Sequence, residues 1–173
     1  VTSPRDRGQR PGFSAFVFAL VGIAIFAALS LWFAVTAPET VPSHFDASGR
    51  ADDWSSKWSV LVLLVPLGLG ISVLLSIRGI WTRMPLASIN APHKEYWFER
   101  SDESYFYDCL MEFMRINAGA LALLFSTILI SMFTVAAGPD NSGPVPLLIP
   151  TAGFLIVVGA SVWLLFRRLQ PQS

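Results

Sequence analysis

Charge is what this sequence has least of. Its 12 basic and 12 acidic residues cancel and together make up 14% of 173 residues, where an ordinary soluble domain carries about a quarter. The balance leaves no basic field to gather nucleic acid, so no nucleic-acid partner is expected. Cysteine is nearly absent. Cys109 stands alone, which rules out an intramolecular disulfide and any zinc site built on several thiolates; it reads as a small buried side chain. There is no P-loop, glycine-rich dinucleotide turn, nucleophile elbow or HExxH helix. Without them no nucleophile, base and oxyanion hole come together. The expectation is a protein that is not an enzyme, with no metal and no cofactor.

The scarce charge is also unevenly spread. Residues 13–35, 58–77, 116–137 and 145–166 contain no Asp, Glu, Lys, Arg or His. A helix needs about 20 apolar residues to cross about 30 Å of hydrocarbon, so each run predicts a membrane span. Pumps and ion-coupled carriers usually keep an ionisable group inside a span; these runs hold none. Ala15 with Ala19, and Ala24 with Ala28, have the small-residue spacing that lets helices approach closely. Pro66, followed by Gly68 and Gly70, predicts a packing kink in the second span. The expected fold class is all-α: an integral membrane four-helix bundle with an ordered extracytoplasmic loop between spans one and two.

Basic residues orient the chain. The tail 1–12 carries Arg5, Arg7 and Arg10. The segment 78–115 carries Arg78, Arg83, Lys94, Arg100 and Arg115, and the tail 167–173 carries Arg167 and Arg168. The loop 38–57 has only Arg50 and Lys57, and the turn 138–143 has neither lysine nor arginine. The positive-inside rule places both termini and 78–115 in the cytoplasm, an N-in/C-in topology, with the other two loops outside. The first run is longer than a secretory signal core and is read as a retained span. Trp32, Trp54, Trp58, Trp81 and Trp163 fall near the predicted interfaces. Within 78–115, Pro85 and Pro92 oppose a continuous helix. From Ser101, read as an N-cap, Phe106, Cys109, Leu110 and Phe113 share one face. This predicts an amphipathic helix over 102–115, either on the membrane surface or leading into span three.

The loop 38–57, PETVPSHFDASGRADDWSSK, holds most of the chemistry. Pro42 stiffens it, Asp46 can close an Asx-turn and Gly49 can take a positive φ, so Asp46 to Gly49 reads as a tight turn beside His44. One histidine among carboxylates is neither a zinc set nor an EF-hand. His44 is expected to bond to backbone or to Asp46, and His93 lies across the membrane from it. Lys57 reads as a snorkelling lysine paired with Asp52 or Asp53. Val41, Phe45, Trp54 and Trp58 are too many large apolar groups to leave in water, so the loop should pack as an ordered cap.

These residues carry a resemblance. Pro38, Val41-Pro42, His44-Phe45, Gly49, Asp52 or Asp53, and Lys57 resemble the signature of a family of small bacterial membrane proteins of uncharacterised function: P-x-x-V-P-x-H-F, a glycine turn, an acidic residue and a closing lysine. The SdpI-like toxin-immunity membrane proteins carry the same loop. Asn90, Pro92, Lys94, Tyr96 and Trp97 resemble the N-x-P-x-K-x-Y-W stretch of many members. The resemblance spans residues 14–100. It implies the bacterial cytoplasmic membrane and, for SdpI-like members, a receptor that confers immunity to a peptide toxin and signals to a repressor. The resulting expectation is a sensor or immunity-type protein that binds a peptide, lipid or protein through Pro42, His44, Phe45, Asp46, Gly49, Asp53 and Lys57. Asn90, Pro92, Lys94, Tyr96 and Trp97 form a candidate cytoplasmic motif. The alternative is an accessory or structural subunit of a larger membrane complex. Membrane lipids are expected around either.

Overall fold

The computed structural model describes residues 12–138 and 147–171. Arg5, Arg7 and Arg10 and most of the turn 138–143 lie outside the described residues. Among the described residues four helices are long and apolar enough to cross a membrane: Phe13–Thr36, Lys57–Ser76, Glu103–Ala137 and Leu148–Leu169.

The bundle is built on α6 (Glu103–Ala137). At 35 residues and about 1.5 Å each it is about 52 Å long, well beyond the ~30 Å of hydrocarbon. The surplus is its N-terminal third, where Asp108, Glu112 and Arg115 sit. Residues 102–115 are therefore the start of the third span and not a separate surface helix. Its N-cap is Asp102; Ser101, expected in that role, takes φ 57 in the turn before it.

α1 (Phe13–Thr36) runs parallel to α6. It buries Ala15, Ala19, Gly22, Phe26, Ser30 and Phe33, a stripe at three- and four-residue spacing. The backbones meet at Gly22 and Gly119: a Cβ on Gly22 would stand 2.8 Å from the Gly119 carbonyl oxygen. Ala15 and Ala19 belong to this contact, whereas Ala24 and Ala28 face outward.

The second span is broken in its middle. α2 (Lys57–Val65) passes through a π-helical turn, Pro66–Gly70, into α3 (Ile71–Ser76). Pro66 has no N–H to offer the preceding turn, and the ladder slips there. The slip sets Gly68 against Phe26 and Phe125, where a Cβ would come within 2.5 Å of the Phe26 ring. The kink thus serves packing.

Beyond α3, the short helices α4 (Arg78–Trp81) and α5 (Lys94–Glu99), with a 3-10 turn Leu86–Ser88 between them, fold over the start of α6. α7 (Leu148–Leu169) returns antiparallel on α6. Its described start lies after the predicted 145, and it continues through Arg167 and Arg168, which end a helix and do not begin a tail. Asn117 Nδ2 donates to Ser161 Oγ at 3.0 Å between the two helices. One side of α7 is unpacked, with Leu148, Ile149, Leu155 and Ile156 exposed.

The all-α expectation holds for this frame but misses one element. Residues of the loop 38–57 form an antiparallel hairpin, β1 (Thr40–Phe45) and β2 (Ala51–Ser56).

Candidate functional site

The hairpin stands where α1 ends and α2 begins, over the C-terminal end of α6. Its base is tied three ways. Val41 is fully buried, in one cluster with Phe33, Ala37 and Met132. Phe45 packs on the same cluster. Lys57, in the first turn of α2, is buried with its Nζ 3.1 Å from the Ala37 carbonyl and 3.1 Å from Glu39 Oε1. The Lys57 N–H also donates to the Glu39 carbonyl at 2.9 Å, and the ammonium lies 5.4 Å from the Trp58 ring centroid. The lysine's partner is Glu39, not Asp52 or Asp53, because the last rung of the ladder sets residue 39 opposite it.

That rung also fixes the phase of the ladder. Hydrogen-bonded and non-hydrogen-bonded pairs alternate, so Pro42 opposite Trp54 falls on a non-hydrogen-bonded pair, where a missing N–H costs nothing. Above it the register slips twice: Pro42 faces Trp54, His44 faces Asp53 and Phe45 faces Ala51. Ser43 is the extra residue on one strand and Asp52 on the other. These bulges set the side-chain pairs: His44 Nδ1 is 2.6 Å from Asp52 Oδ1, and Ser43 Oγ donates to Asp53 Oδ2 at 2.9 Å.

His44 therefore pairs with Asp52 and not with Asp46, which is already engaged. Asp46 Oδ1 accepts from the Ser48 N–H (2.8 Å), Ser48 Oγ (2.7 Å) and the Arg50 N–H (2.9 Å). The Ser48 hydroxyl and then the Arg50 amide hold its carboxyl below the ordinary value of 3.8, because each donor favours the charged form. Gly49 at φ 81 closes the turn. The tight turn read from the sequence is thus the hairpin tip.

Proline, bulges and aspartates blunt a sheet edge against strand addition. What the hairpin offers is a side-chain surface: His44, Asp46, Arg50, Asp52 and Asp53 are all exposed. Pro42, Val41 and Lys57 lie beneath it as supports. Glu39 and Ser43 are the residues that sequence reasoning missed. The sign was available for Glu39, an acidic residue one step before a strand whose antiparallel mate ends in lysine.

The second motif lies at the other end of the bundle, and there its residues are fasteners. Lys94 Nζ donates to the Leu86 and Ile89 carbonyls at 3.0 and 2.9 Å. Trp97 is buried, and its Nε1 donates to the Leu169 carbonyl at 3.0 Å. Tyr105 Oη reaches the Arg168 carbonyl at 3.3 Å. Tyr96 stands edge-on to Trp97 with ring centroids 5.2 Å apart. Asn90 is exposed and Pro92 half-buried. The motif locks α5 onto the last turn of α7, whose free carbonyls need donors. His93 is at this end, far from His44. Among the described residues no three His, Cys, Asp or Glu side chains group to hold a metal ion.

Residues 15–69 match a domain of unknown function, DUF1648. The matched stretch runs from the first turn of α1 through the hairpin into the π turn. It takes in Gly22, the whole strand pair, Lys57 and the Pro66 kink, and it stops short of α6. No curated protein and no solved structure matches the chain.

Proposed function

We propose that this multi-pass membrane protein is a non-enzymatic recognition protein whose hairpin binds a peptide or protein partner at the outer face of a bacterial plasma membrane. The observation that carries this reading is the hairpin's construction. Its base is anchored by buried Val41 and Lys57, while its upper surface presents polar side chains that already hold one another in place. A surface held rigid before binding loses little entropy on contact. Four carboxylates, Glu39, Asp46, Asp52 and Asp53, stand against Arg50 and Lys57, which favours a basic partner. Immunity to a peptide toxin is one form this recognition could take, and its support is the motif resemblance of the loop. The balance of basic residues puts the hairpin outside and the Trp97 cap inside.

Photo-crosslinking in intact cells tests the reading. A crosslinker at Ser48 or Asp53 is expected to give a discrete peptide or protein adduct, and one at lipid-facing Val62 is not. Lipid adducts alone at all three positions would overturn it. A cysteine at Ser48 should react with a membrane-impermeant thiol reagent before lysis; reaction only after lysis would reverse the orientation.

A second reading, a subunit of a larger membrane complex, is favoured by the unpacked side of α7. Native mass measurement after extraction in mild detergent separates the two, since a subunit should carry α7-linked partners that survive disruption of the hairpin.

A further inference from the structure

The layer where α6 emerges from the apolar core carries an odd charge. Arg78 pairs with Asp108, and Arg168 Nε lies 3.1 Å from Glu112 Oε2. Each carboxylate thus faces one arginine, Glu112 Oε1 accepting from Arg168 Nη2 at 3.2 Å. Arg115 has no acidic partner within salt-bridge distance among the described residues, although it lies within electrostatic reach of Asp108 and of the like-charged Arg78. Its guanidinium sits 4.9 Å from the centroid of the Phe16 ring, which is itself 41% exposed on the membrane-facing side of α1. Its Nε is buried without a hydrogen-bond partner. Nη1 points toward the start of α1 at Gly12, where the helix has no side-chain cap.

An uncompensated guanidinium at the rim of the hydrocarbon is costly. Among the described residues none supplies an anion for it, but the bilayer has one at this depth. We propose that Arg115, flanked by Arg78, binds the phosphate of an anionic phospholipid, with the lipid chains lying along Phe16 and α1. Arginine suits this role because its planar donor fork matches phosphate oxygens in pairs. The site is independent of the hairpin and of any partner bound there.

The test uses the full chain in nanodiscs of phosphatidylcholine containing a minor fraction of phosphatidylglycerol, with lipid adducts counted by native mass spectrometry. The wild-type protein should retain phosphatidylglycerol over phosphatidylcholine by about fivefold relative to its share of the disc, the scale of one basic residue at an anionic surface. Arg115→Gln should lose that preference. Arg115→Lys should keep part of it and, by its unchanged melting curve, show that the bundle is intact. Arg83→Gln, on the exposed loop, should keep all of it. No preference in the wild type, or the same preference in Arg115→Gln, would overturn the assignment. Competition by millimolar inorganic phosphate would show a free-anion site and overturn the lipid.

Discussion

Replacing Lys57 by methionine removes the bond that closes the hairpin and keeps the volume. In the native protein the ammonium donates to the Ala37 carbonyl at 3.1 Å from a buried position. A hydrogen bond to a charged group contributes about 1.5–3 kcal/mol. The ion pair with Glu39 adds less, at most about 1 kcal/mol, because Glu39 is 78% exposed and solvent screens it. Methionine restores the packing but leaves the Ala37 carbonyl without its donor. The expected loss is about 2–4 kcal/mol, felt locally because the spans do not depend on this lysine. Opening of the hairpin base should rise about thirtyfold or more. Hydrogen exchange by mass spectrometry in nanodiscs reads this directly: amides of β1 and β2 should lose protection while those of α1 and α6 keep theirs. Glu39→Gln should have a small effect by the same reasoning. Unchanged exchange across the hairpin in Lys57→Met would refute the view that this lysine holds it down.

Three further outcomes follow from the packing and the tip. Gly119→Ala should lower stability by about 1–3 kcal/mol, because its Cβ would stand 3.0 Å from the Phe18 carbonyl oxygen, whereas Gly70→Ala meets nothing within 4 Å and should be neutral or stabilising; thermal unfolding in detergent compares them. Asp46 has a folded pKa below its ordinary 3.8, so its contribution to the turn is complete above that value and is lost as pH falls through the lowered one; the Ser48 and Arg50 amide resonances should hold steady from neutral pH to about 4 and shift only below it. Trp97→Phe removes the donor to the Leu169 carbonyl and should cost about 1–3 kcal/mol, seen as faster proteolysis at the end of α7 with the hairpin unaffected.

The spans were legible because apolar length is a local property, and the kink was legible because Pro66 acts on its own helix. The hairpin was not. Thr40–Phe45 and Ala51–Ser56 contain a proline, two adjacent aspartates and a register that slips twice, so no period-two alternation survives to mark strands. The turn at Asp46 was readable from its own four residues, but the partner of His44 was not. Sequence proximity favoured Asp46, whose Oδ1 is engaged within the turn, and only the bulge at Asp52 brings the true partner across. The continuity of α6 was hidden for a different reason. Asp108, Glu112 and Arg115 resemble a boundary until Arg78 and Arg168, distant in sequence, are seen to pair with the two acids.

The stretch matching DUF1648 ends before α6, yet it is not a self-contained body. Phe26 and Gly68, both inside the match, close on Phe125 outside it. Gly22 closes on Gly119 in the same way, and Val41 at the foot of the hairpin shares a cluster with Met132. α6 therefore supports the hairpin at one end and carries the Trp97 cap at the other. Its apolar stretch contains no ionisable side chain that could carry a signal by moving charge or protons. On the proposed reading, a partner bound at the hairpin would influence the opposite end by shifting how α1 and the kinked second span pack on α6. The place where such a shift meets least resistance is the π turn, where the helical ladder is already interrupted. A sensor built this way would be disabled by substitutions at Gly22 or Gly68 that leave every residue of the hairpin untouched.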